Sequence, residues 1–149
     1  MKSVDVVPGS RVAAISLWEP WATLMAIGAK KNETRSWPTR HRGALLICAA
    51  QRKNRRELDE LYQDTTFWAA LKGARLSYGH AVALVDVDGC LATGRDSSAG
   101  PYGQDGFLFG DYSPGRYAWI TTGLRRLKPF PVKGKQGLFY ATMPDFEEL

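Results

Sequence analysis

The chain has 149 residues, and its 20 Lys and Arg against 15 Asp and Glu give a formal net charge of +5. That length suits one compact domain, and 44% hydrophobic residues suffice for a buried core, which excludes a disordered chain. The longest apolar run, residues 44–50, is far shorter than the roughly 20 residues that cross a bilayer. We identify no membrane span and no secretory signal, and therefore expect a cytoplasmic protein.

The local patterns predict a domain dominated by strands, with two or three helices inserted early. Pro20 suits a first helical turn, and Gly28 suits the cap that ends the same helix. In chain order we predict a strand at 11–17, a helix at 20–28, a strand at 42–50, helices at 55–64 and 66–76, strands at 80–92 and 117–122, an extended connection at 127–131 and a strand at 137–142. This order predicts a single α+β domain over residues 1–149, with its core at about 11–143, built as a small β-barrel with helices packed over its openings.

The stretch from residue 94 to 116 is predicted to be one long loop. It contains six glycines and two prolines in 23 residues, a composition that disfavours helix and strand alike. Loops of that size inside compact domains are commonly binding loops or lids, and the aromatic residues of this one favour an ordered lid. An alternative is that Phe107, Phe109 and Tyr112 form a patch for a protein partner.

The two cysteines predict neither a disulfide framework nor a metal site. Cys48 and Cys90, with only His41 and His80 beside them, do not match any zinc-ligand spacing. We predict that both thiols are small, buried strand residues, and we predict no metal and no cofactor.

The charge is segregated along the sequence. Residues 1–56 carry a balance of +8, residues 57–113 of −6, and residues 114–149 of +3. If the two ends of the chain meet in the fold, their cationic side chains share a face that attracts a polyanion. The residues concerned are Lys30, Lys31, Arg35, Arg40, Arg42, Lys133 and Lys135.

The segment from Lys30 to Trp37 breaks the usual pattern of a strand, because seven of its eight residues are polar. In an extended chain Glu33, Arg35 and Trp37 point to one side, whereas Lys30 and Thr34 point to the other. A strand with such residues lies at a sheet edge or lines a wet functional cleft, and the pattern alone favours the edge.

Two further segments carry clustered cations. Arg40, His41 and Arg42 precede Gly43, and Lys133 and Lys135 lie between glycines. Arginine offers a planar fork for phosphate, and glycine allows the backbone to approach closely. The lysine segment lacks the spacing of a P-loop, and His41 is a candidate either for proton transfer or for simple hydrogen bonding.

Taken together, these motifs resemble one known family, the activating-signal-cointegrator homology (ASCH) domain. The resemblance rests on residues 15–22, Gly28 with Lys30, Glu33, Arg35, Ser36 and Trp37, the His41-Arg42-Gly43 turn, and the segments at 117–119 and 131–134. It spans residues 13–142 and implies a barrel of the pseudouridine-synthase-and-archaeosine-transglycosylase (PUA) type, with a basic cleft for RNA or for single-stranded or modified nucleotides. The implied phosphate contacts are Arg35, Arg40, Arg42 and Lys133, supported by His41 and Lys135, with Trp37 as a base-stacking surface and with Trp18 and Trp21 as further candidates.

The resemblance also leaves an enzymatic function open. Some members resemble amidohydrolases of acetylated cytidine that use a Lys, a Thr three residues later and an acid on a later strand. Lys30 matches the Lys, but Glu33 stands where the Thr is expected. The adjacent Thr34 is predicted to face the other side of the strand. Asp86 is the nearest match to the acid. Other members are described as ribonucleases, for which Lys30, Glu33, His41 and Asp86 supply acid and base types. The catalytic candidates are therefore Lys30, Glu33 and Asp86. Three functional hypotheses follow: a nucleic-acid-binding protein with or without ribonuclease activity, an amidohydrolase, and a protein-interaction module.

Overall fold

The computed structural model of the protein describes residues 5–61, 63, 65–94 and 110–149. Strands and short helices follow one another as β1 (Arg11–Leu17), α1 (Trp21–Ala26), β2 (Asn32–Arg35), β3 (Gly43–Ala49), α2 (Arg55–Leu61), α3 (Thr65–Leu71), β4 (His80–Ala92), β5 (Tyr117–Pro131) and β6 (Phe139–Thr142). Among the described residues, no helix has the length and apolar character needed to traverse a lipid bilayer.

The strands form one six-stranded sheet that curls into a half-barrel, in the order β2-β5-β4-β3-β1-β6. β1 and β3 are parallel, and the other neighbours are antiparallel. β6 pairs with β1, so the two ends of the chain do meet. This architecture, with three short helices, confirms the predicted α+β class.

Both faces of the central strands are buried, which explains why these strands are apolar without interruption. Ile15 and Leu17 of β1 pack with Met25 of α1 in one core cluster. Ala14, which directly precedes Ile15, packs instead in the second cluster with Leu46. The period of two along an extended chain thus divides β1 between two layers of core.

Both cysteines lie in strands, as predicted, but only Cys48 is buried as expected. Cys48 is buried in β3, and Cys90 is half-buried in β4; neither forms a disulfide. Burial raises the pKa of the Cys48 thiol to about 12, as expected for a thiol packed as a small hydrophobic group.

Several predicted boundaries are wrong. The helix expected at 66–76 ends at Leu71, because Lys72 and Gly73 adopt positive φ values of 52° and 75° that terminate it. β5 does not stop at Thr122 but continues through Gly123, whose φ of 63° accommodates a register shift against β4, and it includes the predicted connection at 127–131. The helices expected at 20–28 and 55–64 are Trp21–Ala26 and Arg55–Leu61. Most of the loop predicted at 94–116, including Phe107 and Phe109, lies outside the described residues.

Candidate functional site

A cavity of about 410 Å³ lies between the end of β1, helix α1 and strand β2, and we call it the β2 cavity. Its size is typical of sites that hold one small ligand. The residues that line it are Leu17, Trp18, Trp21, Lys30, Glu33, Thr34, Arg35, Gly110, Asp111 and Arg116. Three predicted site residues, Lys30, Glu33 and Arg35, therefore meet in one depression.

These three residues form a continuous ion-paired triad. Lys30 Nζ lies 3.3 Å from Glu33 Oε1, and Glu33 Oε2 accepts hydrogen bonds from Arg35 Nε at 2.9 Å and from Arg35 Nη2 at 2.8 Å. The Arg35 Nη2 group also donates to the Ser16 carbonyl at 2.9 Å. Glu33 is thus held between two cations, and Arg35 is tied to the end of β1.

Lys30 is buried, with only 5% of its surface exposed. Its Nζ donates to the Asn32 carbonyl at 2.6 Å and lies 5.9 Å from the centroid of the Trp21 ring. Burial is the main cause of a lowered pKa for Lys30, while the Glu33 carboxylate acts in the opposite direction. The ammonium of Lys30 therefore loses its proton more readily than that of an exposed lysine.

The polar strand β2 lies between two neighbours, strand β5 and the segment 110–116. Among the described strands it pairs only with β5 and is an edge strand of the sheet, yet residues 110–116 fold over its outer edge. Arg116 Nη2 donates to the Thr34 carbonyl at 3.3 Å, and the Asp111 N–H donates to the Thr34 hydroxyl at 3.3 Å. The sequence leaves a sheet edge and a functional cleft as alternatives; in the structure β2 is an edge strand, and its residues also line a cavity.

Thr34 corrects one prediction. Strict alternation puts it on the face opposite Glu33, but it lines the same cavity. Residues 110–116 lie against β2 at this point, and Asp111 and Arg116, which contact Thr34, line the cavity too. The Thr34 hydroxyl is already a hydrogen-bond acceptor for Asp111.

Arg116 and Asp111 form the outer wall of the cavity. Arg116 Nε donates to the Asp111 carbonyl at 3.1 Å and lies 3.5 Å from Asp111 Oδ2. Hydrogen bonds from the hydroxyl and N–H of Ser113 lower the pKa of Asp111. The cavity therefore contains three cationic side chains, those of Lys30, Arg35 and Arg116, and two carboxylates.

The Trp18-Glu19-Pro20-Trp21 motif supplies the aromatic wall. Trp18 lines the cavity with 42% of its surface exposed, whereas Trp21 is partly buried against the core. Glu19 lies beneath them, 2% exposed, and accepts hydrogen bonds from the Thr23 N–H, the Thr23 hydroxyl and the Ser77 N–H at 2.6–2.8 Å. Glu19 thereby fixes the first turn of α1 and the position of both tryptophans.

The structure does not bring Trp37 into this cavity. The Trp37 ring packs edge-on against Trp119, with a centroid distance of 4.9 Å, and the Trp37 carbonyl accepts a hydrogen bond from Trp119 Nε1 at 3.4 Å. Among the aromatic residues of the motif, Trp18 is the exposed ring that borders the cavity.

Asp86 also lies elsewhere. Its neighbours Val85 and Val87 belong to the core cluster under α1, so alternation directs Asp86 to the other face of the sheet. There it borders a small depression beside Gly123 and Arg125. The predicted combination of Asp86 with Lys30 and Glu33 is therefore not present in one site.

The remaining cationic candidates are divided between two other surfaces. His41 and Arg42 line a separate cavity of about 820 Å³, where His41 Nε2 donates to the Ala44 carbonyl and Arg42 Nη1 donates to the His41 carbonyl. Arg40 is exposed in the same turn. Lys133 and Lys135 line a groove along β6, so the predicted basic residues do not line one common cavity.

Sequence reasoning missed Arg116 and Asp111. Both belong to the glycine-rich stretch, where neither a period nor a motif marks a site, and they reach β2 only through tertiary structure. Within the described ranges, no cluster of three or more His, Cys, Asp or Glu is placed to hold a metal ion.

Comparisons with known proteins agree with this architecture. Activating signal cointegrator 1 of Homo sapiens and that of Mus musculus are each 36% identical to the chain over 85 residues, which cover 52% of this chain and 14% of each relative. A crystal structure of a mutant ZmASCH protein from Zymomonas mobilis matches with a TM-score of 0.52 at 15% identity over 91% of both chains, which shows that the two proteins share a fold. The ASCH domain profile matches residues 15–129. The resemblance found in the sequence is thereby confirmed, and the chain belongs to the ASCH domain family.

Proposed function

We propose that the protein binds RNA or another single-stranded nucleic acid and holds one unpaired or modified nucleotide in the β2 cavity. Membership of the ASCH domain family supports a role related to nucleic acids. The observation that carries the finer proposal is the juxtaposition of the Lys30–Glu33–Arg35 triad with the exposed Trp18 ring in one cavity of about 410 Å³. A cavity of this size admits one nucleotide but not a duplex.

The charge of the cavity favours a phosphate at its rim. Arg35 and Arg116 are partly exposed, with 24% and 28% of their side-chain surfaces accessible. Each guanidinium has five N–H donors in a planar fork, more than its described partners use, so both retain donors for phosphate oxygens. Lys30 also lines the cavity but lies deeper, with 5% of its surface exposed.

The aromatic wall favours a base. Trp18 offers an exposed ring, and stacking of a base on an aromatic side chain is worth about 1–3 kcal/mol whatever the base. Trp37 was the sequence-based candidate for this role, and its packing against Trp119 favours Trp18 instead.

The test is a fluorescence titration with single-stranded RNA and DNA over a salt series. Binding at low salt that weakens with ionic strength is expected, and Arg35→Ala should reduce the slope of log K against log salt by about 0.7. Arg116→Ala should act in the same direction. It should disturb the fold less than Arg35→Ala, because the carboxylate that Arg116 leaves behind, that of Asp111, is exposed to water. Arg52→Ala is the matched control, because Arg52 is exposed and borders no described cavity. Absence of binding at low salt, or affinity indifferent to salt, contradicts the proposal.

Hydrolysis in the same cavity is the second candidate, and one observation favours it. Burial lowers the pKa of Lys30, which lies beside Glu33, and such a lysine can accept a proton from an attacking hydroxyl or water. Asp86 takes no part in this reaction scheme because it lies elsewhere. Chromatography after incubation with RNA and with a panel of modified nucleosides, acetylated cytidine included, separates a ribonuclease from an amidohydrolase. Turnover by the wild type that Lys30→Ala abolishes supports this candidate, and no turnover of either substrate class rejects it.

A further inference from the structure

The segment Lys133-Gly134-Lys135 lies directly against the end of β1 that borders the β2 cavity. Gly134 approaches Ser16 so closely that a Cβ atom added to it would lie 2.6 Å from Ser16 Oγ. The carbonyl of the same Ser16 accepts the hydrogen bond from Arg35 Nη2. One residue, Ser16, therefore separates the lysine segment from the guanidinium that lines the cavity.

A groove of about 380 Å³ begins at this segment and follows β6, the strand at the opposite sheet edge from β2. We call it the edge groove. It is lined by residues 130–133, 135, 139–142 and 144. Tyr140 of β6 pairs with Ala13, which lies three positions before Ser16 on β1, so the groove extends for about 10 Å away from the β2 cavity.

The edge groove has its own unneutralised positive charge. Lys133 and Lys135 are both exposed, and neither forms an ion pair with a described residue. Arg125 and Lys128 differ, since Arg125 pairs with Glu148 and Lys128 with Glu147. Two lysines without a carboxylate partner beside a glycine suit the successive phosphates of an extended strand better than a neutral ligand.

The groove also has an exposed aromatic ring. Tyr140 is 53% exposed and borders both the edge groove and the larger cavity that contains Arg42. The Arg11 guanidinium lies 5.5 Å from the Tyr140 centroid, and Arg11 lines that larger cavity, not the groove. The face of the ring toward the groove thus remains accessible to a base.

We propose that the edge groove is a second nucleotide subsite, in which Lys133 and Lys135 bind phosphate and Tyr140 stacks on a base. The natural ligand is then a single-stranded oligonucleotide that runs from the β2 cavity past Ser16 into the groove, and not a free nucleoside or nucleotide. This inference rests on the proposed function of the β2 cavity and names its class of ligand.

The experiment compares cytidine 5′-monophosphate with single-stranded oligocytidylates of four and eight nucleotides by isothermal titration calorimetry at low salt. The wild type should bind the tetranucleotide about tenfold more tightly than the mononucleotide, since the longer ligand reaches the groove. The double variant Lys133→Ala with Lys135→Ala should lose this gain, keep its affinity for the mononucleotide and reduce the salt slope for the oligonucleotide by about 1.4. Tyr140→Ala should lose part of the gain.

The matched control is Lys53→Ala with Lys72→Ala, which removes the same charge from exposed positions that border no described cavity. The subsite proposal is overturned if the wild type binds the mononucleotide and the tetranucleotide equally, or if the variant without Lys133 and Lys135 still binds the tetranucleotide more tightly. Either result leaves the β2 cavity proposal standing. Failure of all three ligands to bind overturns both. Displacement of the tetranucleotide by an oligoglutamate of equal charge assigns the groove to acidic peptides and overturns the subsite.

Discussion

Arg35 contacts a single oxygen of Glu33 through two nitrogens, Nη2 at 2.8 Å and Nε at 2.9 Å, while the other carboxylate oxygen lies 3.3 Å from Lys30 Nζ. The side chains of Lys30 and Glu33 are 3% and 9% exposed. The Glu33 carboxylate therefore balances the charge of two cations at a position where water has little access to solvate them.

The first prediction concerns the stability that this carboxylate provides. Glu33→Ala should lower the free energy of unfolding by about 3 kcal/mol, because it leaves the buried Lys30 charge without its partner. Glu147→Ala is the control: its 3.9 Å pair with Lys128 is largely exposed, and its loss should change stability by less than about 0.5 kcal/mol. Urea denaturation measures both, and equal effects would contradict the prediction.

The second prediction concerns pH. The native pKa of Lys30 lies below its ordinary value of 10.5, so between these two values the unfolded chain holds more protons on Lys30 than the native protein does. Stability therefore rises with pH across this interval through Lys30. The difference in unfolding free energy between the wild type and Lys30→Met should shift in favour of the wild type as pH increases toward 10.5. A flat or opposite trend would show that burial does not dominate at Lys30.

The third prediction separates stacking from folding at Trp18. Trp18→Ala should weaken binding of single-stranded RNA by about 1–3 kcal/mol, since the ring offers a stacking surface to a base. Its thermal midpoint, measured in parallel, shows how much of any loss comes from the partly buried portion of the ring, since 42% of Trp18 is exposed. Leu124, which is 41% exposed and borders no described cavity, provides the control Leu124→Ala. Anisotropy titrations in which both variants bind like the wild type would reject Trp18 as a stacking surface.

The fourth prediction tests the contact between Gly134 and Ser16. Gly134→Ala should destabilise the protein by about 1–3 kcal/mol, because its Cβ would lie 2.6 Å from Ser16 Oγ. Ser16→Ala alone should be nearly neutral, since this buried hydroxyl has no hydrogen-bond partner among the described residues. The double variant should recover much of the loss, because the added Cβ would then lie 3.7 Å from the Cβ of residue 16. Additive losses in this double-mutant cycle would contradict the contact.

The sequence predicts much of the sheet because its central strands are continuously apolar. β1 begins and ends at the predicted residues, and β3 and β4 differ by little or nothing from prediction. β5 was underestimated because Gly123 and the cations that follow it resemble a strand end, whereas pairing with β4 carries the strand through a bulge. Register against a partner strand is a tertiary property, which local composition does not contain.

The candidate site was predictable only in part. Lys30, Glu33 and Arg35 lie close in sequence, so their motif was sufficient to bring them together. Arg116 reaches Thr34 from 82 positions away, and nothing local indicates this contact. Asp86 and Trp37 have suitable chemistry, but neither lines the cavity. Asp86 lies on the opposite face of β4, and Trp37 packs against Trp119. Residue type alone does not determine such orientations.

The attachment of β2 has a consequence for the order in which the protein is made. Within the part of the chain that the structure describes, β5 is the one strand that pairs with β2, and the Thr121 N–H donates to Asn32 Oδ1 across 89 positions of sequence. A ribosome therefore synthesises Lys30, Glu33 and Arg35 long before the strand that holds them in place, and loop closure of this length is slow compared with local folding. The nascent chain acquires its binding site only when β5 has emerged, so an N-terminal fragment that contains the whole motif should still lack the site.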